Sequence, residues 1–251
     1  MPSQPIYNDP GYAEAYDADR YGGAFGGYLH DREVEAFLSL MTETSGSVLD
    51  VGAGTGKLSL ALAYRSCRVV SADKSWEMMR IARRKAERDG RVLLLVICDV
   101  QDLCFKEQAL DCIVASRVLM HVADWRQAIA ELCRVAKRTV ISDFPSLRSV
   151  SGLESLLKRG GRLVGTGTRA YRAFLSGGIA RELQRNSFQV VEVRRQFFLP
   201  IAVHRWIDHP GFSRGIESLC RMLGLARCLG SPLIVKATRL EHRDGHRRPS
   251  R

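Results

Sequence analysis

Between residues 47 and 143 the chain repeats one pattern, a short apolar run followed by an amphipathic stretch. The runs at 47 to 51, 68 to 72, 92 to 97, 110 to 116 and 138 to 143 have strand length and are rich in valine, leucine and isoleucine. The stretches at 56 to 66, 75 to 88 and 124 to 136 carry apolar residues at helical spacing. Strands separated by helices are joined by crossovers rather than hairpins, so the pattern predicts an α/β domain with a doubly wound, mostly parallel sheet and helices on both faces. Ligands of such sheets sit just beyond the carboxyl ends of the strands.

The first of those ends reads VLDVGAGTGK, residues 48 to 57. A triphosphate-binding loop needs a glycine five positions before its Gly-Lys pair and a hydroxyl after the lysine. Here Val51 and Leu58 occupy those positions, so Lys57 is expected to be a surface helix residue. A dinucleotide loop needs its third glycine one place later than Gly56. What remains is Asp50 followed by Gly52, Ala53, Gly54 and Gly56. A carboxylate there repels a pyrophosphate and suits a ligand bearing an ammonium group, while the glycines let backbone approach that ligand closely.

With these residues the chain resembles the class I S-adenosylmethionine-dependent methyltransferases, which implies a Rossmann-like, seven-stranded sheet and S-adenosylmethionine as cofactor. The resemblance extends over residues 47 to 143. Asp73, 17 residues beyond Gly56 and next to Lys74, matches the family's ribose-binding acid; read alone, it is also a helix N-cap. Asp99 and Val100, in CDVQDL, match the positions that hold the adenine, and Ser116, Arg117 and His121 follow the fourth strand. The Pro-Gly-Gly turn common before the family's fifth strand is absent. The Tyr-rich front and the His121-Val122 pair are most similar to the branch containing ubiquinone and menaquinone biosynthesis methyltransferases, so a small-molecule acceptor, lipophilic or anionic, is expected.

Methyl transfer from a sulfonium needs alignment and, for a hydroxyl or acidic carbon, a proton acceptor. His121 is the first candidate base and His204 the second; each also reads as a structural histidine. Arg117 suits an anionic group of acceptor or cofactor, or an internal ion pair. Tyr12, Tyr16 and Tyr21 are candidates for a lid.

Outside the repeat the sequence divides into a Tyr/Gly-rich arm and helix (1 to 46) that covers the cleft, the methyltransferase domain (47 to 240), and a basic tail (241 to 251). The leading helix is expected at 30 to 43, behind Asp31 as N-cap, with further helices at 150 to 158 and 169 to 186 around the glycine-rich GGRLVGTGT. The β-like runs FQVVEVRRQFFL and PLIVKATRL are separated by about 30 residues, far beyond the ~2–5 of a hairpin loop. That insertion, 200 to 231, mixes apolar residues with four arginines and is expected to cap the acceptor, with a peripheral membrane contact left open.

The net charge of +11 makes a nucleic-acid methyltransferase the alternative. The stretch after the fourth strand, ASRVLMH, lacks the Asn- or Asp-Pro-Pro-aromatic motif of enzymes acting on exocyclic amines, so nucleic acid is not the expected partner. A non-catalytic scaffold on the same fold is the other alternative. No Cys-x-x-Cys pair or histidine cluster suggests a bound metal, and no signal peptide is evident, so a cytoplasmic protein is expected; oligomeric state stays open.

Overall fold

A computed structural model describes residues 5–41, 46–65, 68–149 and 172–240. Seven strands form one sheet in the order β3-β2-β1-β4-β5-β7-β6. They are β1 (Ser47–Val51), β2 (Arg68–Asp73), β3 (Leu94–Ile97), β4 (Leu110–Ala115), β5 (Ala136–Phe144), β6 (Phe188–Phe197) and β7 (Ser231–Arg239). The first five run parallel, and β7 is antiparallel to both β5 and β6. The order reverses between β1 and β4, which opens a crevice at their carboxyl ends.

The helices are α1 (Pro10–Tyr21), α2 (Gly23–Leu38), α3 (Lys57–Tyr64), α4 (Trp76–Arg88), α5 (Trp125–Val135), α6 (Ser176–Arg185), α7 (Ile201–Ile207), α8 (Pro210–Met222) and α9 (Leu225–Leu229). Strand residues alternate between two cores, as a period of two requires. Leu49, Ile113, Val140 and Val235 face α5 and α6, joining Ile129, Leu132, Ile179 and Leu183. Val48, Cys112, Val114, Ile141 and Ile234 face the other way, onto Phe37 of α2 and Leu58 and Leu62 of α3.

The strand and helix expectations between 47 and 143 hold to within two residues at each end. The front of the chain differs. It forms two helices, and α2 begins behind Gly22, so Asp31 is an exposed mid-helix residue rather than a cap. The buried line of α2 is Phe25, Leu29, Glu33 and Phe37. A glutamate on that line breaks the apolar periodicity by which a helix is recognised.

Of the helix read at 169 to 186, the described part from 172 onward is helical over Ser176–Arg185, and Phe174 instead bridges to Ser146. The helix read at 150 to 158, the GGRLVGTGT loop and the basic tail lie outside the described residues. The insertion between β6 and β7 is helical and packs on α2 and β6.

Candidate active site

The cleft over the β1–β4 crevice encloses about 1040 Å³ including its open mouth. Its floor is a glycine turn. Gly52 N and Ala53 N both donate to Ala72 O of β2, at 2.7 and 3.0 Å, and Gly56 N donates to Ala53 O. Gly52, Gly54 and Gly56 all have positive φ, the left-handed region that an L side chain resists. Each glycine has its own reason to lack a Cβ. At Gly52 it would lie 2.4 Å from Val118 Cγ2, and at Gly56 2.8 Å from the Cβ of Ala82 on α4, whereas at Gly54 it would enter open cleft space. Gly54 is therefore the point where bare backbone faces the cleft.

Asp73 ends β2 against this turn. Its Oδ2 accepts from Gly54 N at 2.9 Å and its Oδ1 from Ser75 N at 2.8 Å. Burial raises its pKa, and those backbone donors pull the other way. The N-cap of α4 is Ser75, whose Oγ accepts from Met78 N, so Asp73 faces the cleft instead of capping the helix. At the end of β3, Asp99 accepts from Gln101 N and pairs with Lys74 at 3.1 Å. Although partial burial works to raise it, these donors hold the Asp99 carboxyl below its ordinary range.

Ser116, Arg117 and His121 follow β4 and also line the cleft. Arg117 has φ +63°, a strained value for a side chain of its size, and its backbone N–H donates to the buried Asp143 of β5. Its Nε is buried and has no hydrogen-bond partner among the described residues. The apolar wall comes from Met78, Cys98, Val100 and Val118. Tyr7, Asn8 and Tyr16 close one side, and the Tyr7 ring meets His121 edge-on at 6.2 Å between centroids. Only Tyr16 of these three was among the expected lid residues. Contacts of this kind join parts distant in the sequence, and no local spacing announces them.

Six expected residues meet a different geometry. Asp50 is buried and accepts from Ser59 Oγ at 2.6 Å, and Ser59 in turn accepts from Ser71, so the carboxylate is committed beneath the turn and does not line the cleft. Burial pushes its pKa up to about 7, opposed by the Ser59 hydroxyl. Ala53 and Gly56 shape the turn from below and likewise do not line the cleft.

His204 is fully buried on α7. Its Nδ1 and Nε2 each lie 2.9 Å from a partner, Ser213 Oγ and Glu217 Oε1, and its ring stacks on Phe25 at 5.0 Å. It is a structural histidine outside the cleft.

Lys57 is not a surface residue: it pairs with Glu33, which also receives Arg20 Nη2 at 2.9 Å and Tyr21 Oη at 3.0 Å. Tyr21 therefore belongs to this buried cluster. Burial works to raise the Glu33 pKa, but Lys57 and Arg20 together drive it far below the ordinary range. Among the described residues no group of three or more histidine, cysteine or acidic side chains is arranged for a metal.

An apolar slot lined on one rim by carboxylates and floored by bare backbone fits an adenosine-bearing ligand: the rim offers acceptors for ribose hydroxyls and the slot takes a flat base. The comparisons agree. Residues 49–141 match the family described as methyltransferase domain. Over 179 residues the chain is 32% identical to the demethylmenaquinone methyltransferase of Thermobifida fusca, covering 63% of this chain and 75% of the relative. It is 30% identical to the ubiquinone biosynthesis O-methyltransferase of Xylella fastidiosa, covering 70% of this chain and 64% of that one.

In fold it is similar to magnesium protoporphyrin IX methyltransferase from Synechocystis with bound SAH, with TM-score 0.66, 20% identity, and coverage of 93% of this chain and 96% of that one. Its cofactor is S-adenosylmethionine, and the chain belongs to the class I S-adenosylmethionine-dependent methyltransferases, related to those of quinone biosynthesis.

Proposed function

We propose that the enzyme methylates an oxygen or acidic carbon of a flat, lipophilic, quinol-like molecule, with His121 taking the proton. The observation that carries this reading is the edge-on contact of His121 with Tyr7, on the side of the cleft that also carries Tyr16 and faces the apolar wall of Met78, Val100 and Val118. Aromatic and aliphatic walls suit a planar apolar acceptor, and a histidine titrates near working pH. The relatives named for menaquinone and ubiquinone biosynthesis support the same class.

In this reading Asp73 accepts from the ribose hydroxyls, Asp99 and Val100 hold the base, and Gly52 and Gly54 let the amino-acid end pass over the turn. Ser116 and Arg117 meet that end, with the unpartnered Arg117 Nε as a donor for a carboxylate. Asp50 acts from beneath by bracing Ser59 under the turn. The bound cofactor supplies an electrophilic methyl group. The chain aligns the acceptor, excludes water with α1 and its tyrosines, and removes the acceptor proton at His121.

The test is methyl transfer from labelled S-adenosylmethionine to a panel of quinols and catechols. His121→Ala is expected to lower kcat about 100-fold or more while cofactor affinity is unchanged. Full turnover by that variant removes the base, and transfer to none of the panel removes the acceptor class.

A further inference from the structure

Between β6 and β7 the chain leaves the sheet for α7, α8 and α9, and the two faces of this excursion are unlike. The inner face is accounted for. Ser213, Glu217 and Cys220 are buried along α8, and Glu217 accepts from the backbone N–H groups of Phe198 and Leu199. Asp208 accepts from Ala24 N and Phe25 N at the start of α2.

The outer face is largely left exposed among the described residues. Of the seventeen large hydrophobic side chains left exposed among the described residues, eight fall between Val203 and Leu229. Trp206 is 85% exposed, Met222 76% and Leu223 64%. Phe212, Leu219 and Leu223 recur at spacings that align them along one flank of α8.

Charge separates the same two faces. The only acids between residues 200 and 231 are Asp208 and Glu217, both used inwardly. The four arginines are exposed. Arg205 donates to Asp19 O of α1 and Arg214 lies over the Tyr28 ring, whereas Arg221 and Arg227 have no acidic partner among the described residues. Exposed apolar side chains beside arginines that lack acidic partners fit a surface that is apolar inside and anionic at its rim. A second copy fits poorly, because a two-fold contact would set these arginines against one another.

We propose that the outer face of α7, α8 and α9 docks on an anionic lipid bilayer. Trp206, Phe212, Leu219 and Leu223 enter the boundary between headgroups and acyl chains, and Arg221 and Arg227 meet the headgroups. Docking sets the bilayer against the arm, since Arg205 holds α1, whose Tyr16 lines the cleft. The surface is read from residues outside the cleft and does not depend on which acceptor is methylated.

The full chain is floated with vesicles of phosphatidylcholine alone and of phosphatidylcholine mixed with phosphatidylglycerol. Binding is expected only to the second, weakening with salt. The double variant Arg221→Glu with Arg227→Glu is expected to lower partition about thirtyfold, and Trp206→Ser with Leu223→Ser to abolish it. Both should bind S-adenosylmethionine as the parent does, which shows that they fold. No preference for anionic vesicles overturns the proposal, as does parental binding by both variants. A parent that dimerises and ignores vesicles, with variants that are monomeric, identifies the face as a protein interface instead. None of these readings uses methyl transfer, so failure here leaves the catalytic reading untouched.

Discussion

The floor of the cleft and its cover are held by different forces. The floor is backbone: three left-handed glycines and N–H groups donating to Ala72 and Asp73 fix its shape within one short stretch. The cover is side-chain charge. Glu33 of α2 is ringed by Arg20, Tyr21 and Lys57, and Asp208 of the insertion holds the start of α2. A floor made of backbone keeps its geometry through most substitutions. A cover made of buried charge depends on every partner being present, since a stranded ion in low dielectric is expensive.

The difference can be pressed hardest at Glu33. Glu33→Gln strands Lys57 and Arg20, and a loss of about 4 kcal/mol in unfolding free energy is expected by chemical denaturation. If cofactor affinity falls as steeply, floor and cover are one energetic unit and the contrast breaks. Gly54→Ala should give the opposite signature, a cost of about 1–2 kcal/mol for its left-handed backbone together with a drop in S-adenosylmethionine affinity of about tenfold, because the new methyl enters the cleft. Unchanged affinity by calorimetry would show that the ligand does not approach this turn.

At Asp50 the contrast is read through pH instead. An unfolded aspartate ionises near ~3.9, whereas burial pushes the folded group up to about 7. The folded pKa is raised, so the stability tied to this group is fully present below the unfolded pKa and is lost as pH rises through about 7. Relative to Asp50→Asn, the parent should lose Tm progressively between about pH 4 and pH 7. Parallel curves would mean that Asp50 is ionised in the folded state and that Ser59 alone pays for its burial.

The same division explains what the sequence made legible. The five parallel strands and the glycine turn announce themselves because their causes are local: alternation, helical period and positive φ all lie within a few residues. Asp73, Asp99 and Arg117 follow, since each sits at or just past a strand end. The cover was opaque because its causes are distant. Lys57 reads as a solvated helix residue until Glu33, 24 residues earlier, is placed beside it. His204 looks like a spare base until Ser213, Glu217 and Phe25 are seen to enclose it. Asp50 ends a strand as expected, yet the direction of its side chain depends on Ser59 across the turn.

The cap that Asp208 places on α2 also has a consequence in time. Asp208 lies 184 residues after Ala24, so during synthesis the arm is released long before the group that caps it. At ~5–20 residues per second, that delay is roughly 10–40 s. The wall of the cleft that carries Tyr16 therefore gains its full support only when the insertion has left the ribosome.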